Sequence, residues 1–363
     1  MKASKFFLLV ILTLSSLYLV YIRPVSASED SWTTMEPIPN ARAWLGVAVV
    51  DGKIYAMVNE INYEYDPSTN SWTTKTPMPN PKSSFGIAVV DNKIYCIGGT
   101  TDDYTYTNLN QVYDPLTDTW ETKKSMPTSR YALDANVVNG KIYMIGGSQR
   151  TPNDNFDINE VYDPVTDTWT TKTSIPTGVD YYASAVVNNK IYIIGGAVGV
   201  TLNQIYNPET DTWSSGAPLP TVVDSAAAGV TAGTTVTQRI FVLGGKHGLD
   251  AVNLNQVYDP ETDTWVAGPA MPTARYGLGV AVVDDSLYAI GGREGWVGYP
   301  VSAANERYTP ADFIPEFPSW TPLLITFIAL VVVLAVYRRK LRKAYSVEEL
   351  MQKNSLGRAQ RNS

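Results

Sequence analysis

A tryptophan that follows a short polar turn recurs six times along this chain, and the repeat constrains the fold more than any other feature. The tryptophans are Trp32, Trp72, Trp120, Trp169, Trp213 and Trp265. Successive members are roughly 40 to 50 residues apart, a period typical of repeat architectures. A unit of this length that consists of short strands cannot bury its own apolar faces. Several units must therefore pack side by side.

The order of signals within one unit predicts four strands. In the unit that ends with Trp120, residues 85–90 are almost all apolar, as in an innermost strand that is buried on both faces. A polar dipeptide turn then leads to a second strand over residues 93–97, which ends at a double glycine. The third strand covers residues 110–113, and the fourth carries the tryptophan. The same order recurs in the other units, so the chain is predicted to be all-β.

The apolar strand, the double glycine, the tyrosine and the tryptophan at this spacing resemble Kelch repeats, over about residues 30–309. The resemblance implies a six-bladed β-propeller of four-stranded blades, with domain bounds at residues 28–309. The last unit supplies three strands and no tryptophan strand, whereas Trp32 precedes the first unit and has no partner strands there. We expect the N-terminal strand to complete the last blade, because this closure removes two exposed sheet edges.

Both ends of the chain have the composition of targeting and membrane segments. Residues 1–27 contain two lysines, a long apolar stretch and small residues before the end, which predicts a signal peptide, with an uncleaved signal anchor as the alternative. Residues 310–320 predict a proline-rich stalk, and residues 321–337 predict a transmembrane helix. The tail, residues 338–363, begins with a basic cluster, which the positive-inside rule places in the cytoplasm. The sequence thus predicts a single-pass protein of the cell membrane whose propeller is extracytoplasmic.

The segment Pro315-Glu316-Phe317-Pro318 precedes this apolar stretch. Followed by an apolar span and an arginine cluster, it resembles the PEF-type C-terminal sorting signals of archaeal surface proteins. The resemblance implies removal of the span by a sorting protease and retention of the protein at the cell surface. The chain continues for about 20 residues past the basic cluster, whereas such signals generally end near it. An ordinary membrane anchor is therefore the alternative.

Composition excludes several classes of function. The chain has 35 Asp and Glu against 28 Lys and Arg, a net charge of −7, and an acidic domain disfavours nucleic acid as a partner. It has one histidine and one cysteine, so it lacks an internal disulfide and the ligands of the usual zinc or copper sites. The copper oxidases that contain Kelch repeats use two histidines, which excludes their activity here. We expect no metal and no cofactor.

A candidate ligand site is predicted where each tryptophan strand leads to the next innermost strand. Four blades carry a basic residue at this position: Arg42, Lys82, Arg130 and Arg275. Aromatic, acidic and imidazole side chains lie beside these residues or in loops on the same face: Trp44, Tyr131, Asp134, Tyr181, Asp224, His247, Tyr276 and Trp296. Cations and aromatic rings around a central depression suit sugars or acidic groups. The alternative is that the basic residues hold neighbouring blades together.

Two functions from different classes remain open. The first is a membrane-anchored binding module for a glycan, an envelope polymer or a surface protein, since the fold indicates binding in general. The second is an extracytoplasmic sugar-modifying enzyme, because some six-bladed Kelch propellers are sialic acid mutarotases. In that case Asp134 would act as acid or base beside Arg130, whereas a water-bridged carboxylate in the channel is the alternative role of Asp134. No catalytic residue is assigned, because no shared catalytic motif is visible.

Overall fold

The computed structural model describes residues 30–101, 105–149, 156–197, 199–295, 300–311 and 336–340. The chain divides into two compact units, Met1–Asp312 and Phe313–Ser363. The signal peptide, the sorting motif and most of the transmembrane segment that the sequence predicts lie outside the described residues. Residues 336–340 are helical, and the described part of the chain contains no helix that is long and apolar enough to span a bilayer.

The first unit contains six four-stranded antiparallel sheets, of which five are built from neighbouring segments of the chain and the sixth includes the N-terminal strand. Blade one consists of β2 (Gly46–Val50), β3 (Lys53–Val58), β4 (Ile61–Asp66) and β5 (Ser71–Thr74). Blade two consists of β6 (Gly86–Val90), β7 (Lys93–Ile97), β8 (Asn110–Asp114) and β9 (Thr119–Lys123). Blade three consists of β10 (Ala135–Val138), β11 (Lys141–Ile145), β12 (Asn159–Asp163) and β13 (Thr168–Thr171).

Blade four consists of β14 (Ala183–Val187), β15 (Lys190–Ile194), β16 (Asn203–Asn207) and β17 (Thr212–Ser215). Blade five consists of β18 (Ala227–Val230), β19 (Ile240–Leu243), β22 (Asn255–Asp259) and β23 (Thr264–Ala267), with the short ribbon of β20 (Lys246–His247) and β21 (Asp250–Ala251) between β19 and β22. Blade six consists of β24 (Gly279–Val283), β25 (Ser286–Ile290), β26 (Asn305–Thr309) and the N-terminal β1 (Ser31–Thr34). The prediction of a six-bladed all-β propeller is confirmed.

Blade six is closed by the N-terminal strand, as the sequence predicts. β1 pairs antiparallel with β26, and Trp32 lies opposite Tyr308 in the register. The two rings stack with their centroids 5.1 Å apart, and the indole N–H donates to the carbonyl oxygen of Pro269 at 2.9 Å. The outer strand of blade six is therefore joined to blade five as well as to its own sheet.

A hydrogen-bonded clamp links neighbouring blades at the outer edge. In blade two, the hydroxyl of the buried Tyr113 donates to Asp118 at 2.6 Å, and the same carboxylate accepts the backbone N–H of Thr76 from blade one at 2.9 Å. Trp120 packs on Tyr113 and donates its indole N–H to the carbonyl of Thr76 at 3.0 Å. Blades three, four and five repeat this arrangement with Asp167, Asp211 and Asp263. The turn that precedes each tryptophan thus fastens its blade to the previous one.

A closed ring of backbone hydrogen bonds surrounds the central channel just before the innermost strands. One residue per blade adopts a left-handed backbone conformation there, with φ between 50° and 62°. The N–H of each donates to the carbonyl of the corresponding residue in the preceding blade, over distances of 2.7 to 3.1 Å. We call these six residues the collar: Trp44, Ser84, Ala132, Tyr181, Ser225 and Gly277. The collar fixes the direction in which the side chains at the mouth of the channel leave the backbone.

Candidate functional site

Two of the predicted basic site residues are buried braces inside their own blades. Arg130 and Arg275 are 0 % exposed. Arg130 forms an ion pair with Glu160 and donates to the carbonyl of Met144 at 2.8 Å. Arg275 lies 2.6 Å from Glu306 in the equivalent pair. Both guanidinium groups are held by groups of their own blade and do not line the mouth, so the contacts favour the structural alternative for these residues.

The other two basic candidates differ from each other. Lys82 is 0 % exposed and donates to the carbonyl oxygens of Cys96 and Leu109, both at 2.9 Å. Burial lowers the pKa of Lys82 to about 8. Arg42 is partly exposed and lies 3.5 Å from Glu60. Arg42 is thus the one member of the predicted basic group that reaches solvent.

Blades four and five show why these residues are braces. They carry Val179 and Val223 in place of the arginines, and both valines are buried. In blade four, Gln204 occupies the position of Glu160, and its side-chain amide exchanges two hydrogen bonds with the backbone of Thr177, at 2.9 and 3.0 Å. An arginine with a glutamate, or a valine with a glutamine, therefore completes the same part of a blade.

The aromatic candidates come together above the collar. Trp44 belongs to blade one and Tyr181 to blade four, which face each other across the ring, and their rings lie 5.1 Å apart. The ring of Tyr276, from blade six, packs edge-on against Trp44, with the two ring centroids 5.7 Å apart. Tyr131 packs against Tyr181 at 5.8 Å and stacks on Tyr106 at 5.3 Å. Trp44 therefore spans the mouth of the channel and leaves an opening above blades four to six.

This opening is a pocket of about 410 Å³, which we call the mouth pocket. Its lining consists of Trp44, Asp180, Tyr181, Ala197, Asp224, Ser225, Lys246, Tyr276 and Arg293. The sequence prediction included Trp44, Tyr181, Asp224 and Tyr276, and the structure brings these four together. It missed Lys246 and Arg293, although both directly follow the double glycine of a second strand, which would have indicated their place.

The charged residues of the mouth pocket differ in the ion pairs and hydrogen bonds that they form. Lys246 lies 3.5 Å from Asp224. Asp180 is 6 % exposed and one of its carboxylate oxygens, Oδ1, has no hydrogen-bond partner in the described part of the chain. Burial, and then the charge of Asp224, raises the pKa of Asp180 to about 6. Arg293 forms no ion pair among the described residues. The lining thus contains a guanidinium group without an ion pair in the described chain and a carboxyl group whose unpartnered oxygen is buried.

Asp134 lies beneath the collar and does not line the mouth pocket. It borders a cavity of about 90 Å³ inside the collar and the channel of about 280 Å³ below it. The hydroxyl of Ser184 donates to Asp134 Oδ2 at 3.0 Å. Burial raises the pKa of Asp134 to about 6, against the opposing effect of the hydrogen bonds from Ser184. Among the described residues no hydrogen bond or ion pair joins Asp134 to Arg130, whose guanidinium group is held by Glu160.

His247 and Trp296 add little to the pocket. His247 is exposed on the β20–β21 ribbon, and its Nδ1 lies 2.9 Å from the carbonyl oxygen of Val222. Trp296 lies outside the described residues. Within the described ranges there is no cluster of three or more His, Cys, Asp or Glu that would hold a metal ion.

Comparison with known proteins agrees with this architecture. The FKB95 Kelch-repeats domain family matches residues 73–225, and the Kelch motif family matches residues 231–272. A human protein, Kelch repeat and BTB domain-containing protein 13, is 34 % identical over 90 residues. That match covers 23 % of this chain and 19 % of the human protein, so the two share a short stretch of repeats.

The solved structure of YjhT has a similar fold. It superposes with a TM-score of 0.64 at 17 % sequence identity, over 75 % of this chain and 96 % of that chain. At this identity the similarity concerns the fold alone. The two Kelch families match the part of the chain that forms blades two to five. The chain therefore contains Kelch repeats within a six-bladed β-propeller.

Proposed function

We propose that the propeller is a binding module that takes a saccharide in the mouth pocket. One observation carries the proposal: Asp180 and Arg293 line one pocket together with the aromatic residues Trp44, Tyr181 and Tyr276. Apolar faces of sugars pack on aromatic rings, and sugar hydroxyls bond to carboxyl and guanidinium groups. A few directional polar groups in an otherwise aromatic pocket are typical of small-ligand sites.

The saccharide would belong to a glycan, an envelope polymer or a glycosylated surface protein. This follows from a second part of the proposal, that the propeller is displayed outside the cell by the apolar C-terminal segment. Support comes from the composition of residues 1–27 and 321–337 and from the basic cluster at residue 338. The assay is protease treatment of intact cells. We expect loss of the propeller and survival of a C-terminal tag, and loss of the tag would refute the orientation.

A glycan array probed with the full chain tests the binding proposal. Trp44→Gly removes the ring that spans the mouth and suits the left-handed backbone there, because Gly277 occupies the same collar position in blade six. We expect at least about tenfold weaker binding, the loss of one stacking contact of about 1.5 kcal/mol. The control is Ser84→Gly, a collar change outside the mouth pocket, which should bind normally. A Trp44→Gly variant that binds like the parent would refute the proposal.

The sugar-modifying enzyme is the second candidate, favoured by the raised pKa of Asp180. A carboxyl group with a pKa of about 6 in a pocket is suited to act as a general acid or base near neutral pH. The assay is exchange of sugar anomers by NMR with the full chain and with Asp180→Asn. Catalysis should disappear in the variant, while the binding of the sugar persists. Equal exchange in the presence and absence of protein would exclude this function.

A further inference from the structure

A groove at the other end of the propeller contains two lysines that lack the acidic partners of their counterparts in other blades. It lies between blades three and four, among the turns that join first to second strands and third to fourth strands. Its volume is about 690 Å³. Lys141, Lys172 and Lys190 line this groove, which we call the lysine groove, in a chain whose net charge is −7.

Lys190 begins the second strand of its blade, a position that is basic in four other blades. In each of those blades the base contacts an acid at the end of the third strand: Lys53 with Asp66, Lys93 with Asp114 at 3.4 Å, Lys141 with Asp163 at 3.0 Å, and Arg239 with Asp259 at 3.0 Å. In blade four the acid position is Asn207. Lys190 therefore keeps its charge and loses its ion pair.

Asn207 preserves the turn while removing the charge. Its Oδ1 accepts the backbone N–H of Glu209 at 3.0 Å. Asp163 makes the same bond to the N–H of Val165, also at 3.0 Å. The fold therefore does not explain the change from carboxylate to amide, since both side chains complete this turn equally well.

Lys172 has lost its partner independently. It lies three residues after its tryptophan, as do Lys75, which is 3.4 Å from Glu64, and Lys123, which is 2.9 Å from Glu121. In blade three the corresponding acid positions are Val161 and Thr170. Within the part of the chain that the structure describes, neither Lys172 nor Lys190 forms an ion pair.

We propose that the lysine groove binds an acidic saccharide, with Lys172 and Lys190 on its carboxylate or sulfate groups. Amide and hydroxyl side chains complete the lining: Asn139, Asn188, Asn189, Asn207, Thr170 and Thr171. Amides both donate and accept, which matches the hydroxyls of a sugar. Glu209 is the acidic residue of the lining and sits on an exposed turn.

The chemistry of the groove favours a saccharide over a nucleic acid. Single-stranded nucleic acids need exposed aromatic rings on which bases stack. Tyr143 is the aromatic residue of the lining, and it is 5 % exposed. This site is separate from the mouth pocket, which lies at the opposite end of the strands, and it does not depend on the proposed function.

Calorimetry with the full chain tests the site with three probes: an oligogalacturonate, a sulfated dextran oligosaccharide and neutral dextran. We expect the two acidic probes to bind, more weakly as salt rises, and neutral dextran not to bind. Lys172→Gln and Lys190→Gln should each weaken binding about tenfold, as for one charge-assisted hydrogen bond. The matched controls are Lys75→Gln and Lys93→Gln, which change the net charge equally at ion-paired positions.

Restoring the missing partners is the sharper test. Asn207→Asp and Thr170→Glu recreate the pairs that Lys141 and Lys123 form in other blades. Each should weaken binding of both acidic probes about tenfold without lowering the melting temperature, since both sites are surface turns or strands. The proposal is overturned if these variants bind like the parent, if the controls lose as much affinity, or if neither acidic probe binds. A loss of probe binding in Trp44→Gly instead would place the acidic saccharide at the mouth pocket and overturn it as well.

Discussion

Exchanging a brace in blade three for the brace of blade four tests how the propeller is stabilised. Arg130→Val alone leaves the carboxylate of Glu160 buried without its cation, and Glu160 is 4 % exposed. Removing one partner of a buried ion pair costs about 3 to 5 kcal/mol. The hydrogen bonds of Arg130 to the carbonyls of Thr128 and Met144 are lost as well.

The double variant Arg130→Val with Glu160→Gln should recover most of this loss. Thr128 and Thr177 lie two residues before the brace positions of blades three and four, so a glutamine at 160 can bond to the backbone of Thr128 as Gln204 bonds to Thr177. We expect the double variant to lose about 1 to 2 kcal/mol, chiefly from the smaller volume of valine. The coupling free energy, which is the loss of the double variant minus the losses of both single variants, should exceed about 2 kcal/mol in magnitude, because Glu160→Gln alone also leaves the buried Arg130 without its carboxylate.

Urea unfolding followed by tryptophan fluorescence measures this cycle, with coincident circular dichroism as the check on two-state behaviour. Lys82→Val is the matched control, because blade two already carries Gln111 at the position of Glu160. It removes two hydrogen bonds and leaves no unpaired charge, so it should cost about 1 to 2 kcal/mol. Additive effects of Arg130→Val and Glu160→Gln would refute the reasoning.

Trp32→Ala should lower the free energy of unfolding by about 3 kcal/mol in the same assay, because the ring stacks on Tyr308 and bonds to blade five, and an unchanged midpoint would show that β1 does not stabilise the ring. Acid should destabilise the propeller below about pH 4, because hydrogen bonds from Tyr162 and the N–H of Lys124 hold the pKa of Asp167 below its ordinary value, so this stabilisation is lost as pH falls through the folded pKa. A shallower acid limb in Asp167→Asn checks this assignment, and an identical limb contradicts it. Asp180 acts in the opposite direction: its pKa is raised to about 6, so stability falls as pH rises from about 4 through 6, and Asp180→Asn should be more stable than the parent at pH 8 by about 2 kcal/mol in thermal or urea unfolding. Parent and variant that melt together at every pH would show that Asp180 is not desolvated.

The number of blades and the strand order were predictable because their signals are local. The polar dipeptide, the double glycine and the turn before each tryptophan act over a few residues and recur in each unit. Closure by Trp32 followed from counting strands. The roles of Arg130 and Arg275 were not predictable in this way, since burial depends on glutamates about 30 residues later in the third strands. At this position in the repeat, a basic residue either lines the mouth or is buried in its blade, depending only on the direction of its side chain. The sequence repeat does not specify that direction.

The collar could not be predicted from the sequence for a different reason. Its hydrogen bonds join backbone groups of six residues that are more than 35 residues apart and have no side-chain type common to all six. A left-handed conformation at a tryptophan and a tyrosine is uncommon, because bulky side chains rarely adopt positive φ. The ring of backbone bonds compensates for this cost and directs Trp44 and Tyr181 toward each other over the axis.

Comparison among the six blades separates architecture from function, because each blade is a copy of the same packing problem. In some pairs both residues change together between blades, as in the Arg and Glu or Val and Gln braces. We infer that such a pair stabilises the fold. Where one partner changes and the other stays, as with Asn207 opposite Lys190, packing gives no reason for the remaining charge. In the mouth pocket, Asp180 Oδ1 has no hydrogen-bond partner and Arg293 has no ion pair in the described chain. An uncompensated charge costs free energy unless a ligand completes it, so these two places are where the propeller is expected to bind.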